Sequence, residues 1–150
     1  MVAHLVGLDQ VLGAMLAGEP APARRALPPN ELAPALRESG QQLRTAFARP
    51  GVLEGEFDGP LGAATGADRL QIRLYDLLAH GWDLGRALGR EPAFEPEVVQ
   101  RSLAFAHRQL AGQDRGRRFA APQPVPADAP PLLRLVAFLG RAPEWTPSGR

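Results

Sequence analysis

The sequence predicts an all-α fold, a helical bundle in a single domain of residues 1–150. Three observations support this prediction. Several segments repeat apolar residues at three- and four-residue steps, proline and glycine separate these segments, and no stretch shows the sustained alternation of a core β-strand. A chain of 150 residues can bury about 70% of the surface that it exposes when unfolded, so this length allows a sizeable core.

The first predicted helix covers residues 2–17 and ends at Gly18. Its apolar face is predicted to consist of Leu5, Leu8, Leu12 and Met15. At 100° per residue, His4 projects into this apolar arc, whereas Asp9 points elsewhere. We therefore expect the His4 side chain to face the interior.

A second helix is predicted from Asn30, which can cap it, to about Ala48. The proline-rich stretch 19–29 precedes it and is predicted to be a loop. Residues 52–66 follow it and contain short alternation with several glycines, so we expect an extended connection with at most one pair of strands.

The longest uninterrupted helical period lies in residues 66–90, where Thr65 can cap the helix and Gly89 can end it. Its buried seam is predicted to consist of Leu70, Leu74, Leu77, Gly81, Leu84 and Leu88. Two more helices are predicted. One covers residues 95–112, with Val99, Leu103, Ala106 and Leu110 as its seam, and a short one covers 129–139 after a proline-rich loop, capped by Asp128 and stopped by Gly140.

Composition narrows the class of protein. The net charge is +1, which argues against an electrostatic nucleic-acid binder, and no apolar run is long enough to span a membrane. The first residues lack the basic region of a signal peptide, so we expect a cytoplasmic protein. All 17 basic residues are arginine, and alanine, glycine, proline and leucine abound, which indicates a GC-rich bacterial genome.

A candidate metal site lies beside the predicted seam of the central helix. Asp76 and His80 are four residues apart, so a carboxylate and an imidazole share one helix face, and His4 is the best candidate for a third ligand. The chain has no cysteine, which leaves histidine and carboxylates as ligands. Two histidines and one carboxylate suit a divalent ion such as zinc, with nickel as the alternative, and leave one coordination position open.

Each of these residues also has a structural interpretation. His4 can be a hydrogen-bonded core residue, and Asp76 with His80 can be an ordinary surface pair worth a few tenths of a kcal/mol. Asp83 can orient the His80 imidazole or be a solvated charge. Arg73 can bind a substrate carboxylate or form an ion pair with Asp76.

Three stretches of the chain carry a family resemblance: VAHLVG near the start, LYDLLAHGWDLGRALG in the middle, and PVPADAPPLLRLVAFLGRAPEW at the end. In this order they resemble the actinobacterial family related to mycothiol-dependent maleylpyruvate isomerase, within the DinB-like superfamily of metal-binding, up-and-down helical bundles. The resemblance implies that His4, Asp76 and His80 are the metal ligands. The corresponding acidic ligand of the characterised isomerases is glutamate, which is one methylene longer than Asp76.

The resemblance also implies a function. The metal would bind and deprotonate a low-molecular-weight thiol such as mycothiol, and the thiolate would drive cis–trans isomerisation of a small-molecule substrate or an S-transfer. A non-catalytic metal-binding or protein-interaction module of the same fold is the alternative. A hydrolase that uses metal-bound water is a third class, with Asp83 as the candidate base.

The chain departs from the family at its start. Family members carry a further long helix before the equivalent of VAHLVG, so we expect this chain to lack the first helix of the bundle. A late start codon, a truncation, or a partner that covers the exposed face would each explain the departure. A homodimer is the partner we expect in the last case.

Overall fold

The computed structural model describes residues 1–23, 25–59, 62–112, 115 and 119–144. It confirms the predicted all-α fold, with the helices α1 (Val2–Ala17), α2 (Leu32–Phe47), α3 (Gly66–Ala87), α4 (Pro96–Leu110) and α5 (Pro131–Phe138). One antiparallel pair of two-residue strands, β1 (Glu56–Phe57) and β2 (Ala64–Thr65), lies in the connection before α3. No helix in these described ranges is both long and apolar enough to cross a lipid bilayer.

The chain divides into two compact units, residues 1–70 and 71–150. The first unit contains α1, α2, the strand pair and the beginning of α3. The second contains the rest of α3, with α4 and α5. The assignment of residues 1–150 to one domain stays a prediction.

In the first unit α1 packs against α2 around a small apolar core. The buried members of this core are Leu12, Leu16, Leu43, Phe47 and Val52. Helix α1 ends as predicted at Gly18, which adopts a left-handed conformation with φ of 70°. The predicted Asn30 cap is wrong, because a 3₁₀ turn over Pro29–Glu31 precedes α2 and no side chain caps that helix.

The start of α3 is fixed by two neighbouring residues. The Thr65 hydroxyl accepts a hydrogen bond of 3.1 Å from the Asp68 backbone N–H, which confirms the predicted cap. At Gly66 a Cβ atom would overlap the Val52 carbonyl oxygen, so only glycine fits this close approach of two backbones.

In the second unit the predicted seam of α4 is confirmed. All four of its residues are buried: Val99, Leu103, Ala106 and Leu110. They pack with Leu135 and Leu139 from the α5 end of the unit and with Tyr75 and Leu78 of α3. Helix α5 begins at Pro131 without a side-chain cap, so the predicted role of Asp128 is wrong, whereas Gly140 follows the helix with φ of 89° as expected.

The predicted buried seam of α3 is wrong for its second half. Leu77 and Leu84 are 38% exposed and Leu88 is 63% exposed. The buried apolar residues of this part of α3 are instead Tyr75, Leu78, Ala79 and Trp82. They form a second arc with the same helical period, about 120° further around the helix, and this arc faces the core of the second unit.

Candidate metal centre

Helix α3 places the His80 imidazole between two carboxylates. Asp76, His80 and Asp83 occupy positions i, i+4 and i+7, so the regular helix brings all three to one face. His80 Nε2 lies 3.4 Å from Asp76 Oδ1, and His80 Nδ1 lies 3.1 Å from Asp83 Oδ2. Both ring nitrogens of His80 are therefore engaged by carboxylate oxygens.

The two carboxylates hold a positive charge on the imidazole of His80. The hydrogen bond to Asp76 and the hydrogen bond to Asp83 outweigh the opposing effect of burial and raise the pKa of His80 to about 9. At neutral pH and without a metal ion, His80 is therefore protonated on both ring nitrogens, including Nε2, which faces Asp76. A metal ion at this position has to displace that proton.

The second oxygen of Asp76 is bound by Arg73. Arg73 Nη1 donates to Asp76 Oδ2 at 2.5 Å, and the Arg73 side chain is only 2% exposed. The structure thus contains the ion pair between Arg73 and Asp76, which was one of the two interpretations of Arg73. The other interpretation, that Arg73 binds a substrate carboxylate, stays a prediction. Because Oδ2 is committed to the guanidinium, Oδ1 is the oxygen of Asp76 that points to His80.

Asp83 is held by an arginine that the sequence did not reveal. Arg141 donates from Nε to Asp83 Oδ1 at 3.3 Å and from Nη2 to Asp83 Oδ2 at 3.1 Å. Burial alone would raise the pKa of Asp83, but hydrogen bonds from His80 and Arg141 outweigh it, and this pKa is lowered. The predicted role of Asp83, to orient the imidazole, agrees with these contacts. Arg141 lies 58 residues further along the chain, where no local pattern points to it.

His4 lies in the first turns of α1, in the first unit, and its position corrects one expectation. The His4 side chain is exposed rather than inside the apolar arc, whereas Asp9 is buried and 4% exposed. The buried face of α1 is rotated by about 60° from the predicted one. The Ser39 hydroxyl donates a hydrogen bond of 2.8 Å to Asp9 Oδ2, and this bond allows a carboxylate to occupy the buried face.

A groove of about 640 Å³ lies in the first unit between α1, α2 and the loop after α1. Asp9 and Ser39 belong to its lining, as do Arg25 and Arg49 near the loop. None of the described residues that line this groove is a histidine, so the groove lacks the imidazole ligands that suit zinc or nickel. The pair of candidate ligands on α3, Asp76 and His80, lies outside this groove.

The fold and the α3 side chains define an all-α protein that carries a candidate metal-ligand cluster. The chain is 34% identical over 143 residues to two uncharacterized proteins from two strains of Mycobacterium tuberculosis. The aligned region covers 94% of this chain and 77% of each of these relatives. The chain therefore belongs to the same family as these mycobacterial proteins. No protein-family profile and no solved structure matches it.

Proposed function

We propose that this protein binds a divalent metal ion, zinc or nickel, through His4, Asp76 and His80, and that the ion activates an external thiol. The reaction class would be a thiol-dependent isomerisation or S-transfer on a small molecule, with mycothiol as the thiol. The observation that carries the proposal is the placement of His80 between Asp76 and Asp83.

The distance between the two α3 side chains fits a metal-ligand pair. Two ligand atoms bound to zinc at 2.0–2.1 Å in a tetrahedral arrangement are about 3.3 Å apart. His80 Nε2 and Asp76 Oδ1 are 3.4 Å apart. The other nitrogen of His80 is hydrogen-bonded to Asp83, as is usual for a histidine that binds a metal, and this leaves Nε2 as the ligand atom.

The third ligand in the proposal is His4. The family resemblance implies His4, Asp76 and His80 as the three ligands of one ion, and the exposed imidazole of His4 is the ligand that the first unit would contribute. Three protein ligands leave one coordination position open, which is the arrangement of catalytic rather than structural zinc sites.

The chemistry follows from the residues that are present. A divalent ion bound at this site supplies the Lewis acidity that makes a coordinated thiol a thiolate at neutral pH. The chain contains no cysteine, so a thiol nucleophile has to come from another molecule. Low-molecular-weight thiols stay reduced in the cytoplasm, which is where we propose that the protein acts.

The first test is metal content. The protein is purified without chelator, reconstituted with zinc, dialysed, and analysed by mass spectrometry. We expect about one zinc per chain, lost in His4→Ala, Asp76→Ala and His80→Ala. The matched control is His107→Ala, because His107 is exposed, stacks on Phe138 at 4.0 Å and has no carboxylate partner among the described contacts. Absence of metal in the wild type, or its retention in the His80 variant, would overturn the proposal.

The second test separates a thiol-dependent enzyme from a structural metal site. Cobalt replaces zinc, and the absorption spectrum is recorded with mycothiol and with its S-methyl derivative. A new thiolate-to-cobalt band with mycothiol alone supports thiol activation, and the isomerisation of maleylpyruvate is then measured directly. Bound metal with no response to any thiol would leave the non-catalytic module as the function.

That module is the second candidate function, and one observation favours it. Leu77 and Leu84 of α3 and Leu88 just after it are exposed at steps of seven and four residues, so they share one face that a partner would cover. A second copy of the chain is the partner expected from the sequence. Sedimentation equilibrium of the wild type and of Leu84→Gln tests it, since a dimer through this face should dissociate in the variant.

A further inference from the structure

We propose that Arg141 is a positioning residue of the metal site: it fixes the Asp83 carboxylate, which in turn holds His80 with Nε2 available to the ion. This inference rests on the metal site proposed above and assigns a role to a residue far from α3 in the sequence. The role is indirect, because Arg141 contacts Asp83 and not the ligand itself.

The contact between Arg141 and Asp83 uses both carboxylate oxygens. Nε donates to Oδ1 at 3.3 Å and Nη2 donates to Oδ2 at 3.1 Å. Asp83 Oδ2 also accepts the Nδ1–H of His80 at 3.1 Å, so one oxygen joins the guanidinium to the imidazole. A guanidinium that binds both oxygens fixes the plane of the carboxylate, which a single contact does not.

Arg141 is itself presented by a rigid part of the second unit. The Arg141 backbone N–H donates to the Val136 carbonyl at 2.9 Å, directly after the left-handed Gly140. A Cβ atom at Gly140 would lie 2.7 Å from the Ala120 Cβ, so the chain passes through a tight space there. Val136 is completely buried, and the helix end that carries Arg141 is therefore well fixed.

The position of the Asp83 carboxylate matters because the imidazole ring of His80 can adopt another orientation or another tautomer. The ring can rotate or carry its proton on the other nitrogen, and either change removes Nε2 from the ion. A carboxylate on Nδ1 prevents both changes only if the carboxylate itself is held. Asp83 is 27% exposed, so without Arg141 its side chain can turn toward solvent.

The test compares zinc affinities, measured by competition with a chromophoric chelator on the full chain. We expect Arg141→Ala to raise the zinc dissociation constant about tenfold. The control is Arg115→Ala, because Arg115 Nη1 also holds the end of α5 by donating to the Phe138 carbonyl at 2.6 Å, and none of the contacts described for Arg115 is with Asp76, His80 or Asp83. Thermal unfolding is recorded for both, and similar losses of stability with different zinc affinities separate positioning from a structural effect.

A double-variant cycle with Asp83→Asn tests whether Arg141 acts through Asp83. If it does, Arg141→Ala causes little further loss of zinc affinity once Asp83 is Asn, whereas independent effects would multiply. Multiplying effects would overturn the proposal. If Arg141→Ala fails to fold, Arg141→Gln makes the same comparison with the aliphatic stem retained.

The outcomes also separate this inference from the proposed function. A wild type that binds no zinc overturns both. A wild type that binds zinc, together with an Arg141→Ala variant that binds it equally well, overturns the role of Arg141 and leaves the metal site standing.

Discussion

Raising the pH of the metal-free protein should remove a stabilising interaction at His80. Folding raises the pKa of His80 from 6.5 to about 9. The hydrogen bond to Asp76 is the largest cause, and the hydrogen bond to Asp83 is the next. A group whose pKa is raised on folding stabilises the folded state fully below its unfolded pKa. The contribution is lost as the pH rises through the folded value, so the window for His80 runs from pH 6.5 to somewhat above 9.

The size of the effect follows from the same two values. The difference between 6.5 and about 9 corresponds to at most about 3 to 4 kcal/mol. The His80 side chain is 21% exposed, and water screens part of its interaction with the carboxylates, so we expect about 2 kcal/mol.

The assay is urea unfolding in the presence of a chelator, with wild type and His80→Gln compared at several pH values from 6.5 to about 10. The difference in free energy of unfolding should fall from about 2 kcal/mol to near zero across this range. Parallel stability profiles would refute the reasoning. His107→Gln is the control, because burial and the charges of Arg134 and Arg115 lower the pKa of His107, so its influence falls on the acid side of pH 6.5.

Three further predictions concern the metal and the packing. Zinc affinity, measured by chelator competition, should rise about tenfold per pH unit up to about pH 9 and then level off, because zinc displaces the His80 proton; a flat profile would contradict this. Gly66→Ala should destabilise the protein to urea by at least about 2 kcal/mol, since a methyl group there overlaps a backbone oxygen. Gly7→Ala, in open space within α1, should instead stabilise it by up to about 1 kcal/mol, and the opposite order would show that the close approach is absent. Ser39→Ala should cost about 2 kcal/mol in the same assay, because Asp9 loses a hydrogen-bond donor in a buried position, and an unchanged midpoint would refute that role.

Most helix ends were predictable from the sequence because their signals are local. Glycines at 18 and 140 adopt the left-handed conformation expected at a helix end, and Thr65 caps α3 through its own side chain. The predictions that Asn30 and Asp128 cap helices were wrong because a proline occupies the first helical position in both places. Proline needs no hydrogen-bond partner at the first helical position, so a capping side chain is not required.

Burial was less predictable than helix ends, because two helices carry more than one apolar arc. On α3 the leucine arc and the arc of Tyr75, Leu78 and Trp82 have the same period, and periodicity alone cannot choose between them. The second arc is the buried one because α4 and α5 pack against it. On α1 the buried face includes Asp9, which apolar periodicity counts as a polar position, because its partner Ser39 lies on another helix.

The candidate site was predictable to the extent that it is helical. The spacing of Asp76 and His80 places a carboxylate beside Nε2, and the spacing of His80 and Asp83 places another beside Nδ1, so a regular helix alone builds both contacts. The i, i+4, i+7 arrangement of Asp, His and Asp is therefore more informative than an Asp and a His four apart. It supplies a pair of candidate ligands and also a carboxylate acceptor for the Nδ1–H of His80. The contact of Arg73 with Asp76 also follows from local spacing, since the two residues are at positions i and i+3 of the helix.

The contact of Arg141 with Asp83 does not follow from local spacing. Only the packing of α5 brings Arg141 to Asp83, and that packing depends on core residues spread over the whole second unit. Eleven consecutive residues of one helix, from 73 to 83, thus encode the contacts of Asp76 and Asp83 with His80, whereas the hydrogen bonds that hold Asp83 from Arg141 depend on the tertiary fold.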